Sequence, residues 1–186
     1  AKAKGADACC DVVNRGVAAW NGKIFLGALD GRLIALDGKT GKEVWSVQTT
    51  DISRPYTITG APRVVKGKVI IGNGGAEFGV RGYISAYNVE DGKMAWRFFT
   101  TPNPAKAADN AASDKIFAEK ANDTWGDNSW EYAGKVTVWT LMSADEELGL
   151  VYLPTNTTAP DYYGGHRPGD NLFAESLVCL DVTSGK

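Results

Sequence analysis

Cys9 and Cys10 are adjacent near the start of a 186-residue chain, and side-by-side thiols have two states open to them. Oxidised, they close an eight-membered ring that forces an unusual peptide geometry, presents a flat, rigid, apolar face and needs an oxidising compartment. Reduced, they are two small buried thiols, and the spacing fits either state. Zinc is not indicated, because Cys179 stands far away and His166 is the single histidine. Glu77 sits in GNGGAEFGVRG, residues 72–82, where its carboxylate can ligate a cation or stand exposed at a strand end. Asp145, Asp161 and Asp170 fall in turns with no catalytic motif around them. His166 lies in YYGGHRPGDN, a turn-rich loop that reads as surface or channel wall, and a C-x-x-C-H run for c-type haem is absent from the sequence.

The elements that must position these residues come from an internal repeat. NGKIFLGALDGRLIALDGKTGKEVW, from Asn21, is echoed by KGKVIIGNGGAEFGVRGYISAYNVEDGKMAW, from Lys66. Ala35, Asp37, Gly41, Lys42 and Trp45 fall over Ala86, Asn88, Gly92, Lys93 and Trp96, each pair 51 positions apart. A third copy begins with ELGLVYLP and continues in SLVCLDVTSGK, where Cys179, Asp181 and Gly185 take the places of Ala35, Asp37 and Gly41; it reaches Lys186 without a Trp.

Within a unit, Ile24, Leu26 and Ala28 alternate with other residues, Asp30-Gly31 signals a hairpin, and Val44, Trp45 and Val47 begin a further strand. The Asp37–Gly41 loop fits a turn whose Asp side chain serves backbone donors, and the Trp is placed to pack across a neighbouring unit. Cys179, at the small-residue position, is expected in a core. Four-stranded antiparallel units of roughly 40–50 residues indicate an all-β fold, a β-propeller. The expected units are about 17–60, 61–104 and 130–186, with 105–129 an insertion or loop. The Ala- and Lys-rich stretch 105–122 leaves a short helix and an irregular excursion both open.

Composition agrees with a packed core: 44% of residues are apolar and 10% aromatic, which excludes a disordered or collagen-like chain. A net charge of -2 gives no electrostatic reason to expect nucleic acid or an anionic membrane as partner. No apolar run approaches the ~20 residues of a membrane helix, and AKAKGADACC lacks the apolar stretch of a signal peptide.

CCDVVNRG from Cys9, TITGAPRV from Thr57 and GNGGAEFGVRG from Gly72, interleaved with the AxDxxTGKxxW turn, closely resemble the pyrroloquinoline-quinone (PQQ)-dependent alcohol dehydrogenases, quinoproteins with an eight-bladed propeller. The resemblance covers nearly the whole chain and implies about three blades of that ring. It implies that Cys9 and Cys10 form a disulfide ring stacked on one face of the quinone, with Trp139 on the other. It also implies that Arg15 contacts the quinone's carboxylate region, Thr59 hydrogen-bonds it, and Gly74, Gly75 and Ala76 line the same chamber. Gly74 stands where some relatives carry a Ser. Glu77 matches the carboxylate on the calcium ion beside the quinone, and the resemblance leaves a lanthanide in its place open. A second metal ligand falls on Asn156 or Thr157 depending on register, and Asn156 is preferred because an amide oxygen suits calcium.

The implied reaction is oxidation of an alcohol or sugar hydroxyl by hydride transfer to the quinone, with calcium as Lewis acid. The implied electron acceptor is a cytochrome c or a membrane quinone, and the implied compartment is the periplasm. DEELGLVYLPTNTTAPDYYGGHRPGDN resembles the glucose and quinate branch more than the alcohol branch. In the family the base Asp comes from later blades, so it is expected beyond Lys186, and the 186 residues alone are expected to have no turnover. The competing class is a non-catalytic propeller of the same repeats, a periplasmic scaffold for protein partners. Cys9-Cys10, Arg15 and Glu77 separate the two, since a scaffold has no need of such a ring or a calcium carboxylate.

Overall fold

The hairpin marked by Asp30-Gly31 forms because Gly31 takes φ +85, a left-handed value that a Cβ-bearing residue adopts only at a cost. It folds β2 (Lys23–Gly27) onto β3 (Arg32–Asp37), with Phe25 opposite Ala35. The structure, a computed structural model, describes residues 8–131 and 135–186. Residues 1–7, read above for an apolar leader, and 132–134, inside the third repeat unit, lie outside the described residues.

With β1 (Ala18–Trp20) and β4 (Glu43–Gln48), the first hairpin completes an antiparallel sheet in the order β1-β2-β3-β4. The second sheet repeats it with β5 (Arg63–Val65), β6 (Lys68–Gly72), β7 (Tyr83–Asn88) and β8 (Met94–Phe99). Both sheets slip register at the same repeat position, after Ala35 and after Ala86. The third sheet has β9 (Ser143–Asp145), β10 (Leu150–Pro154) and β11 (Leu177–Asp181). These are propeller blades, four-stranded in the first two, as the repeat predicts, and three-stranded in the third among the described residues.

The middle blade is buried on both faces, which its period-2 pattern makes possible. Val69, Ile71 and Tyr87 join Phe25, Leu33 and Ile58 in one core, while Ile70, Ile84 and Ala86 join Val151, Leu153 and Val178 in the other. The repeated turn behaves as its sequence predicts. Asp37 Oδ1 accepts from the N–H of Lys39 at 3.1 Å and of Thr40 at 2.7 Å, and the Thr40 hydroxyl and N–H hold its carboxyl below the usual range. Asp181 does the same with Ser184 and Thr183.

Cys179 differs from expectation: it is a free thiol and exposed. It lies on β11, an edge strand, with Val178 and Leu180 turned into the core and nothing covering the opposite face among the described residues. The stretch left open between helix and excursion is helical at α1 (Asp114–Thr124), tied to β8 by the Phe99 N–H donating to Ser113 Oγ at 3.0 Å. No helix among the described residues is long and apolar enough to cross a membrane.

Candidate functional site

Five loops surround a cavity of about 690 Å³, a volume that suits a drug-sized ligand. Ten residues that the resemblance assigns to the quinone or the cation line it: Cys9, Cys10, Arg15 and Thr59 from the first blade's flanks, Gly74, Gly75, Ala76 and Glu77 from the β6–β7 connection, and Trp139 and Asn156 around the third blade. Asp161 lines it too, whereas Asp145, Asp170 and His166 do not. Asp145 Oδ1 instead accepts the Leu148 N–H in a turn, and His166 is exposed, edge-on to Tyr163.

Cys9 and Cys10 are disulfide-bonded and exposed to solvent. Their loop is fastened beyond the ring, where the Arg15 N–H donates to the Thr59 carbonyl at 2.9 Å and Asn14 Nδ2 to the Gly27 carbonyl at 3.0 Å. The Arg15 guanidinium lies 4.8 Å from the Trp139 ring centroid, a cation–π distance that couples the disulfide loop to the far wall.

The glycines of the second blade set the remaining backbone. Gly74 N–H donates to the Thr57 carbonyl at 2.8 Å, and a side chain on Gly75, at φ +106, would stand 2.5 Å from the Pro55 carbonyl oxygen. A Cβ on Gly74 would sit 3.2 Å from Thr57 Oγ1, so a Ser at this position would enter a tight but passable space. A single 3-10 turn, Ala76–Phe78, then carries Glu77 outward, and its carboxylate has no hydrogen-bond partner among the described residues. Gly60, Gly72 and Gly82 receive the carbonyls of Trp139, Val138 and Val136, each of which a Cβ would strike. Those close approaches seat residues 135–139, with Val136 and Val138 buried and Lys135, Thr137 and Trp139 on the cavity.

Thr137 and Lys135 were not anticipated, although their alternation with the two valines places them on the side of Trp139. Asn156 Oδ1 accepts the Thr137 N–H at 2.6 Å, and its own N–H donates to the Thr137 carbonyl at 3.2 Å. The amide oxygen preferred as a metal ligand therefore also braces this segment, and Thr157 lines the cavity beside it. No group of three His, Cys, Asp or Glu gathers among the described residues. The cavity's carboxylates are Glu77 and Asp161, and Asn and Thr oxygens line it as well, the donor types that a hard cation takes. Burial, then the nearby Arg54 and Arg81 cations, lower the Lys135 ammonium below its usual range.

A family model described as the glucose/ethanol/alcohol dehydrogenase β-propeller domain, of the PQQ type, matches residues 2–186. The quinohemoprotein alcohol dehydrogenase ADH IIB of Pseudomonas putida is 52% identical over 190 residues, covering 100% of this chain and 27% of its own length. The solved quinohemoprotein alcohol dehydrogenase of Comamonas testosteroni is 49% identical with a TM-score of 0.85, over 98% of this chain and 28% of that one. A europium-containing methanol dehydrogenase is 37% identical with a TM-score of 0.83, over 100% of this chain and 33% of its own. The chain thus spans between a quarter and a third of the length of these relatives.

Proposed function

This chain belongs to the glucose/ethanol/alcohol dehydrogenase β-propeller family, and from that premise we propose that it builds part of the cofactor chamber of a PQQ-dependent dehydrogenase acting on an alcohol or sugar hydroxyl. The observation that carries the reading is the convergence of the disulfide, Arg15, Trp139 and Glu77 on one cavity. A repeat used only as a scaffold has no physical need for that set.

The residues present fit a flat, anionic quinone. The disulfide and the Trp139 ring supply apolar walls, the Arg15 guanidinium suits a bidentate carboxylate contact, and Thr59 offers a hydroxyl. The backbone at Gly74, Gly75 and Ala76 can come close because little side chain intervenes. Glu77, without a hydrogen-bond partner among the described residues, is the chain's first anionic ligand for a cation such as calcium, and Asn156 or Thr157 offers a neutral oxygen on the same cavity. A lanthanide is compatible with the same oxygens, and one relative is a europium protein. When bound, the quinone supplies the two-electron acceptor and the cation a Lewis acid. The protein's own work is to hold both rigidly: the Gly60, Gly72 and Gly82 contacts fix Trp139, and the Arg15–Thr59 hydrogen bond fixes the disulfide loop. Onward transfer to a cytochrome c or a membrane quinone in the periplasm completes the reading.

Titrating the full-length protein with PQQ, first with calcium and then with a lanthanide, tests this. Saturable quenching of tryptophan fluorescence and alcohol- or sugar-dependent reduction of a dye are expected. Absence of both with either metal would overturn the assignment.

A further inference from the structure

Lys135 has a place in the cavity that no motif accounts for. Its side chain lines the same wall as Thr137 and Trp139, half-buried, on a segment seated where the Val136 carbonyl meets Gly82. No carboxylate pairs with it among the described residues, and the cations Arg54 and Arg81 stand near it. Arg81 is already satisfied: its guanidinium holds both carboxylate oxygens of Asp109, at 2.8 and 2.9 Å, and donates to the Thr101 carbonyl. It therefore does not compete with Lys135 for an anion in the cavity. A half-buried ammonium without a counter-ion is unfavourable, and an anionic ligand in the cavity relieves it.

We propose that Lys135 is a carboxylate-binding residue of the cofactor chamber, acting with Arg15 to hold the carboxylates of the bound quinone. This rests on the assignment of the cavity to PQQ. The quinone is a tricarboxylate, and one guanidinium leaves negative charge unmatched. Arg15 suits a bidentate contact and Lys135 adds a point charge on a flexible stem. Burial already lowers the ammonium in the free protein, so a bound anion, which favours the charged form, pushes its pKa back up.

The test uses the full-length protein and its Lys135→Met and Lys135→Arg variants, titrated with PQQ and with the trimethyl ester of PQQ, whose carboxylates are neutral. Lys135→Met is expected to weaken PQQ about tenfold, the scale of one hydrogen bond to a charged group. It should leave the ester's affinity unchanged, and Lys135→Arg should recover most of the loss. Thermal unfolding of the cofactor-free variants separates a folding defect from a binding one. Wild-type affinity for PQQ in Lys135→Met, or equal loss for quinone and ester, overturns the proposal while leaving the cavity's assignment standing. So does an effect confined to the KM of a carboxylate-bearing substrate, which would give the lysine to the substrate. Failure of the wild type itself to bind PQQ overturns both.

Discussion

The indole N–H of Trp96 donates to the backbone carbonyl of Val182 at 2.8 Å. The ring also occupies the space over Gly185, where a Cβ would come within 2.5 Å of it. One blade earlier, Trp45 donates to the Val89 carbonyl at 3.1 Å over Gly92. The Trp of each of the first two blades thus docks on the turn of the next. Replacing Trp96 by Phe leaves a buried carbonyl without its donor and opens a gap, so unfolding free energy should fall by about 1–3 kcal/mol. Trp45→Phe, at a half-buried site, should cost less. Denaturant melts of both variants check the order, and an unchanged Trp96→Phe midpoint would contradict it.

That docking was legible because it is a local pattern repeated at one spacing: the aligned Gly and Trp positions already imply that each unit meets its neighbour. The residues that line the cavity were legible for a different reason, since most of their motifs are short and contiguous. Contacts between distant segments were not. Nothing in residues 60–82 says that their glycines receive the carbonyls of residues 136–139, and nothing near Asn156 names Thr137 as its partner. Cys179 was misplaced because a repeat position implies burial only where a neighbouring blade covers it.

Gly72→Ala tests the seating of the Lys135–Trp139 segment. The added methyl meets the Val138 carbonyl and Val138 Cβ, backbone and packed atoms with little room to move. We expect a loss of about 1–3 kcal/mol from overpacking, together with weakened quinone binding as Trp139 shifts. Gly67→Ala is the contrast: at φ +69 with no atom near its Cβ, it should cost about 1 kcal/mol of backbone strain and leave binding intact. If Gly72→Ala bound quinone as the wild type does, the segment's role as the wall's support would be lost.

Alkaline pH should weaken the fold through Tyr83. Its hydroxyl is buried and donates to the Thr49 carbonyl at 2.7 Å, and burial pushes its pKa well above the usual phenol range. The folded state therefore keeps the proton where the unfolded chain has lost it. Its contribution is complete below about pH 10 and declines above that, by at most about 1.4 kcal/mol per pH unit. Tyr56, raised for the same first cause, adds to the slope. Urea midpoints at about pH 8 and about pH 11 should diverge in the wild type and diverge less in Tyr83→Phe. Equal slopes for the two proteins would remove Tyr83 as the cause.

The disulfide should matter to the ligand and hardly at all to the fold. Cys9 and Cys10 are one position apart, so the bond closes no chain loop whose entropy could stabilise the folded state, and both residues are exposed. The double variant Cys9→Ser, Cys10→Ser should change unfolding free energy by under about 0.5 kcal/mol, the bottom of the range for disulfides. It loses the flat apolar face, however. Covering about 50 Å² of that face at about 25 cal/mol per Å² gives about 1.3 kcal/mol, close to tenfold in quinone affinity. Serine is preferable to chemical reduction here, because free thiols would react with an oxidising quinone and obscure the titration. A large drop in the unfolding midpoint with unchanged quinone affinity would make the ring a structural staple and reverse the assignment.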